Sequence, residues 1–82
     1  MSTRSVILDS IVTDYVVVVS KYVKIYKMPS FVELIKKQVL TTAGRELMLK
    51  RLLKISLKAG KHGKKEIENL ITKIEFYETY VD

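Results

Sequence analysis

The 82-residue chain contains no cysteine, no tryptophan, one histidine and one proline. The absence of cysteine excludes disulfide bonds and thiolate metal sites. His62 alone cannot form a metal site, so no metal and no cofactor is expected. A chain this short buries only roughly 60–65% of its unfolded surface, and small scaffolds usually gain stability from disulfides, metals or oligomers. Oligomerisation is the remaining source.

Long hydrophobic runs are also missing. The longest run, Tyr15 to Val19, has five residues, far fewer than the ~18 of a membrane span. The N-terminus lacks the basic and apolar regions of a signal peptide, so a soluble, cytoplasmic protein is expected. With one Gln and one Asn among abundant Lys, Ile and Tyr, the composition resembles small reading frames of hyperthermophilic archaeal viruses or plasmids. That resemblance implies a thermophilic source and identifies no functional residue.

The valine-rich opening is predicted to be a helix from about Ser5 to Lys27. At about 100° per residue, its apolar residues fall within roughly a half-circle, with polar residues opposite. Strict alternation, as in a strand, fails because Val16 to Val19 are consecutive. Pro29 ends the helix, since the residue before a proline is disfavoured in the α region.

The interval 30–59 is predicted to be helical, with Ser30 and Glu33 forming a capping box at its start. Its apolar residues share one helical phase from Phe31 to Ala59, which favours a single helix. The polar stretch around Thr42–Gly44 leaves open a break between two helices. Gly60 is predicted to end this helix in the left-handed conformation.

A third helix is predicted over 64–81, with an apolar stripe from Ile67 to Val81 and with Phe76 and Tyr80 off that stripe. The sequence therefore predicts one all-α domain, 1–82. It consists of three helices (about 5–27, 30–59 possibly broken near 42–44, and 64–81) that form a helical bundle.

The apolar arcs of these helices are wide, at about 180° on the first and about 200° over 47–59. Two neighbouring helices in so short a chain would hardly cover both arcs, so a homodimer that completes the bundle is expected. The predicted core or dimer seam comprises Leu8, Ile11, Tyr15, Val18, Tyr22, Leu49, Leu52 and Leu53.

The net charge of +6 is concentrated in the stretch KRLLKISLKAGKHGKK, residues 50–65, which has no acidic residue. Its basic residues are Lys50, Arg51, Lys54, Lys58, Lys61, Lys64 and Lys65. Lys50, Lys54 and Lys58 are four apart and form one ridge, which Lys36 joins if the helix is continuous.

Such a ridge suits the phosphates of nucleic acid, which bind cations in a salt-sensitive, largely sequence-independent way. The alternatives are a solvated face that keeps the protein soluble and, with less support, an anionic membrane surface. A helix-turn-helix is disfavoured for either possible turn. If AGKHG is the turn, the recognition helix is acid-rich and would be repelled by phosphates. If the turn is at Thr41–Gly44, Ala43 and Gly44 are adjacent, without the separation expected between the small packing residue and the turn glycine. GKHGKK lacks the glycine spacing, hydroxyl and preceding strand of a nucleotide loop.

No catalytic residue is predicted. His62 is expected to be an exposed loop residue, and Glu66, Glu68, Glu75 and Glu78 are expected on helix surfaces. The predicted function is non-enzymatic nucleic-acid binding through the seven basic residues of 50–65. The alternative is a dimeric adaptor or assembly protein with no nucleic-acid role, which acts through its apolar seam or through exposed Phe76 and Tyr80. Under the nucleic-acid hypothesis, the same two aromatic side chains could stack on bases.

Overall fold

The computed structural model describes residues 3–23 and 29–80. They form the helices α1 (Thr3–Tyr22), α2 (Pro29–Val39), α3 (Thr42–Ser56) and α4 (Lys61–Glu75), followed by a 3-10 turn, Tyr77–Thr79. Neither of the two ranges contains a strand. The all-α prediction is confirmed. For 30–59, the favoured single helix is wrong, and the break that the sequence left open is present.

The valine-rich opening lies in α1, as its helical stripe predicts. Ile11, Tyr15 and Val18 are fully buried, whereas Val6 and Val17, which interrupt the stripe, are exposed. Hydrophobic periodicity over a whole helix thus outweighs the local β preference of valine. The predicted continuation of this helix over 24–27 lies outside the described residues.

The break between α2 and α3 lies at Leu40 and Thr41, slightly before the predicted position. Thr41 caps α3, since its hydroxyl accepts a hydrogen bond from the backbone N–H of Gly44 at 3.0 Å. A Cβ atom at Gly44 would lie 2.2 Å from the carbonyl oxygen of Gln38. The chain therefore turns tightly enough here that only glycine fits.

A buried arginine holds this joint together. The Arg45 guanidinium donates hydrogen bonds to the Val39 carbonyl and to the Thr42 hydroxyl, and it forms an ion pair with Glu78. It also lies 5.4 Å from the centre of the Tyr77 ring. We call Arg45 and these four partners the Arg45 cluster; it connects the end of α2, the start of α3 and the 3-10 turn.

Two predicted capping signals are wrong. Ser30 lies inside α2, which begins at Pro29, where a fixed φ and a missing N–H suit the first turn. Gly60 has φ −76° and ψ −178° and precedes α4 as its N-cap, so it does not take the left-handed conformation. The last helix begins at Lys61, three residues earlier than predicted, and ends at Glu75. Its predicted extension to Val81 is wrong over the described residues 76–80, where a 3-10 turn is followed by an extended Tyr80; Val81 itself lies outside the described residues.

One hydrophobic core lies among the four helices of a single chain. Because α2 and α3 are separate, α1 packs against α2, α3 and α4, which removes the argument that one chain could not cover its own apolar faces. Of the predicted seam residues, Ile11, Tyr15, Val18 and Leu52 are buried, and Leu8, Tyr22 and Leu49 are half-buried against the core. Leu53 is 57% exposed and so lies outside the core of one chain; its place in a dimer seam stays a prediction.

Candidate nucleic-acid interface

All seven predicted nucleic-acid-binding residues are exposed. We call them the basic segment: Lys50, Arg51, Lys54, Lys58, Lys61, Lys64 and Lys65. The first three lie on α3, Lys58 lies just after it, and the last three lie in the first turns of α4. The structure thus divides the segment between two helices and a short connection.

The ion pairs of the described residues all lie outside the basic segment. Lys21 pairs with Glu66 at 2.9 Å, Lys73 with Asp14 at 2.9 Å, Lys36 with Glu33 at 3.6 Å, and Arg45 with Glu78. The hydrogen bond from Lys21 to Glu66 raises the pKa of Lys21. The proposed extension of the ridge to Lys36 is wrong, since it required a continuous helix. None of the seven cations of the basic segment forms an ion pair with another described residue.

The start of α4 adds a further positive potential. Its first turn contains no acidic residue, and its N-cap, Gly60, offers no side-chain hydrogen bond to the free backbone N–H groups. Lys61, Lys64 and Lys65 lie instead at this positive end of the helix dipole, where cations are destabilising. This arrangement is unfavourable for the isolated chain and favourable for an anion bound there.

In the part of the chain that the structure describes, an open cleft of about 470 Å³ lies between the second half of α1, the start of α2 and the second half of α3. Its volume is within the range of small-ligand sites, which is roughly 300–1,000 Å³. Its floor is apolar and aromatic, whereas part of its rim is cationic. The lining residues are Tyr15, Val19, Tyr22, Val23, Phe31, Arg51, Lys54, Ile55 and Lys58.

Two tyrosines define this cleft further. The hydroxyl of Tyr15 is buried and has no hydrogen-bond partner, and the residue is only 1% exposed. A Cβ atom at Gly63 would lie 2.5 Å from the hydroxyl oxygen of Tyr22, so the start of α4 lies directly against the cleft. Of the basic segment, Arg51, Lys54 and Lys58 line the cleft, whereas Lys61, Lys64 and Lys65 do not.

The cleft was not predicted from the sequence. The sequence predicts Tyr15 and Tyr22 in a core or dimer seam and Phe31 at an apolar helix position. The spacing of Tyr15 and Tyr22 indicates that both lie on one face of α1. A cavity beside that face forms only because the break at Leu40 and Thr41 lets α2 and α3 pack separately around it. The two aromatics predicted to be exposed do not line it; Phe76 is 52% exposed and Tyr80 is half-buried.

Other kinds of site have little support. His62 is exposed at the start of α4. Within 3–23 and 29–80, no group of three or more His, Cys, Asp or Glu residues could hold a metal ion. Gly60 and Gly63 mark the start of a helix, without the strand that a nucleotide loop requires.

No helix in the described ranges is both long enough and apolar enough to cross a membrane. Comparison of the chain with protein-family models, curated proteins and solved structures gives no match.

Proposed function

We propose that this chain binds nucleic acid without catalysing a reaction, and that the basic segment contacts the phosphates. One observation carries the proposal: all seven cations are exposed, and none takes part in an ion pair with the described residues. Phosphates that these cations neutralise release condensed counterions, which drives binding at low salt.

The solvated-face alternative explains the exposure but not the lack of pairing. A face that serves only solubility gains stability from acidic residues three or four positions away, as Lys36 gains from Glu33 on α2. On α3, Glu46 lies one turn before Lys50, and no ion pair joins them. The stretch 50–65 has no acidic residue at all, which favours an external partner.

A salt titration of single-stranded DNA binding, followed by fluorescence anisotropy, tests the proposal. If all seven cations contact phosphates, the logarithm of the association constant should fall with that of salt concentration with a slope of roughly −5. The triple variant Lys50→Gln, Lys54→Gln and Lys58→Gln should reduce the size of this slope by roughly 2 and weaken binding at every salt concentration.

A second triple variant controls for net charge. Thr3→Glu, Thr13→Glu and Asn69→Glu lower the net charge by the same three units at exposed positions of α1 and α4. This variant should keep the wild-type slope. Equal weakening by both triple variants would mean that total charge matters rather than the basic segment, and unchanged binding by the Gln variant would contradict the proposal directly.

We further propose that the chain forms a homodimer through two exposed leucines, Leu53 on α3 and Leu57 directly after it. Leu53 is 57% exposed and Leu57 is 84% exposed, and their spacing of four places them on one side of the helix next to Lys50 and Lys54. A twofold contact through these leucines would bring the ridges of two chains together. The adaptor alternative uses the same leucines for a different protein.

Light scattering across protein concentration tests this contact. The wild-type chain should have the mass of a dimer, and Leu53→Gln with Leu57→Gln should have the mass of a monomer without loss of helicity, because both side chains face solvent in one chain. A wild-type monomer at all concentrations would exclude the homodimer. The leucines would then remain available for the adaptor alternative.

A further inference from the structure

The cleft beside the basic segment has a shape and chemistry that phosphate contacts alone do not use. We propose that it receives one unpaired base of a single-stranded nucleic acid while Arg51, Lys54 and Lys58 hold the adjacent phosphates. This inference rests on the proposed function. It adds a preference for single strands and a specific place for a base.

The lining of the cleft suits a flat aromatic ring. Tyr15 and Tyr22 come from α1, and Phe31 comes from α2. Tyr22 and Phe31 are only half-buried, so their rings remain accessible from the cavity. Proteins that bind single strands combine such aromatic surfaces with a cationic groove, and stacking tolerates any base because every base has a π face.

Tyr15 lines the cleft, and its hydroxyl is buried rather than open to the cavity. Buried hydroxyl groups in folded proteins nearly always have a hydrogen-bond partner, yet this one has none although the residue is 1% exposed. A base has donors and acceptors on its edge, and a small shift of the Tyr15 ring toward the cleft on binding would give the hydroxyl a partner. An acyl chain has neither, so a fatty acid would fill the cavity and leave the hydroxyl unsatisfied.

The cations at the rim fix the charge of the ligand. Arg51, Lys54 and Lys58 line the cleft on the α3 side and lack an ion pair among the described residues. They lie within about two turns of each other, which suits successive phosphates of one strand rather than a single isolated charge. A duplex fits less well, because its bases are stacked inside the helix and cannot enter a cleft without being flipped.

The test compares three labelled ligands of equal length at one salt concentration. They are oligothymidylate, an abasic oligomer with the same phosphates, and a duplex. We expect the wild-type chain to bind oligothymidylate at least about tenfold more tightly than the abasic oligomer. The salt slopes for these two ligands should agree, because the phosphates are the same.

Two substitutions separate the cleft from the rest of the surface. Tyr15→Phe removes only the unpartnered hydroxyl, so it should not lower the melting temperature of the free protein. It should still weaken oligothymidylate binding by about threefold or more and leave abasic binding unchanged. Phe31→Leu should act in the same direction, whereas Phe76→Leu, at an exposed aromatic outside the cleft, should have no effect.

The outcomes distinguish this inference from the proposed function. If oligothymidylate and the abasic oligomer bind equally with a steep salt slope, and Tyr15→Phe and Phe31→Leu change nothing, then the cleft proposal is overturned and phosphate binding stands. If none of the three ligands shows salt-dependent binding, the proposed function fails too. If decanoate binding depends on Phe31 and oligothymidylate binding does not, the cleft holds an acyl anion and the proposal is overturned.

Discussion

The Arg45 cluster and the basic segment use the same kind of side chain in opposite ways. Arg45 is buried, and its guanidinium contacts a carbonyl, a hydroxyl, a carboxylate and an aromatic ring. Arg51, only six residues later, is exposed beside an open cleft and has no ion pair with the described residues. The surroundings of each cation, rather than its chemistry, decide whether it stabilises the fold or remains available to a ligand.

The difference extends to the glycines and caps of the two regions. Near Arg45, Thr41 caps α3 and Gly44 allows close packing. Near the basic segment, α4 begins with an N-cap that lacks a side chain and with three lysines at the positive end of its dipole. Sequences that depart from favourable local rules commonly do so at functional sites, so we interpret the second region as one where binding outweighs stability.

The largest expected effect on stability is that of Arg45→Met, which keeps a long, unbranched side chain and removes its polar contacts. We expect the free energy of unfolding to fall by about 2–3 kcal/mol, because hydrogen bonds to a charged group are lost and the Val39 carbonyl loses its partner. Thermal unfolding followed by circular dichroism measures the change. Affinity for single-stranded DNA should be unaltered at temperatures where the variant is folded.

Lys54→Met is the matched control in the basic segment. It should change the free energy of unfolding by no more than about 0.5 kcal/mol, as surface substitutions usually do, while weakening DNA binding. If Lys54→Met destabilised the fold as much as Arg45→Met, or if Arg45→Met weakened binding as much as Lys54→Met, the division between the two regions would be wrong.

Smaller effects of opposite sign are expected at two glycines. Gly44→Ala should destabilise the fold by about 2 kcal/mol, because its Cβ would lie 2.2 Å from backbone rather than from a flexible side chain. Gly60→Ser should stabilise it by about 0.5 kcal/mol, because Gly60 has an extended N-cap conformation and no atom lies within 4 Å of a new Cβ. Urea denaturation of both variants measures the two shifts; a loss at Gly60 would show that α4 is already well capped.

The sequence predicted α1 and α4 because each has an apolar stripe that spans several turns. It misplaced the joint between α2 and α3 for a related reason. Phe31 to Ala59 share one helical phase, and a tight turn of two residues leaves little trace in such a pattern. Thr41, three residues before Gly44, was the available signal: a hydroxyl residue at N-cap spacing followed by a residue small enough for close packing.

The basic segment could be identified from composition and spacing, and its residues are exposed; nucleic-acid binding by them stays a prediction. Two other features were missed. Arg45 occupies the same stripe as Met48, Leu52 and Ile55, so its burial was visible in the periodicity, but a basic residue at such a position is rarely buried without a partner. That partner, Glu78, lies 33 positions away. The cleft likewise depends on how three helices come together around it, and no local pattern encodes that.

A single titration tests the central claim most directly: the unpaired cations of 50–65, and not the net charge of the chain, bind the polyanion. Backbone amide resonances would be followed by NMR as oligothymidylate is added to the full chain. The account predicts that shifts concentrate in residues 50–65 and around Tyr22 and Phe31, with the amides of the Arg45 cluster unaffected. Shifts spread evenly over every cationic surface, or centred on Lys37 and Lys73, would contradict it.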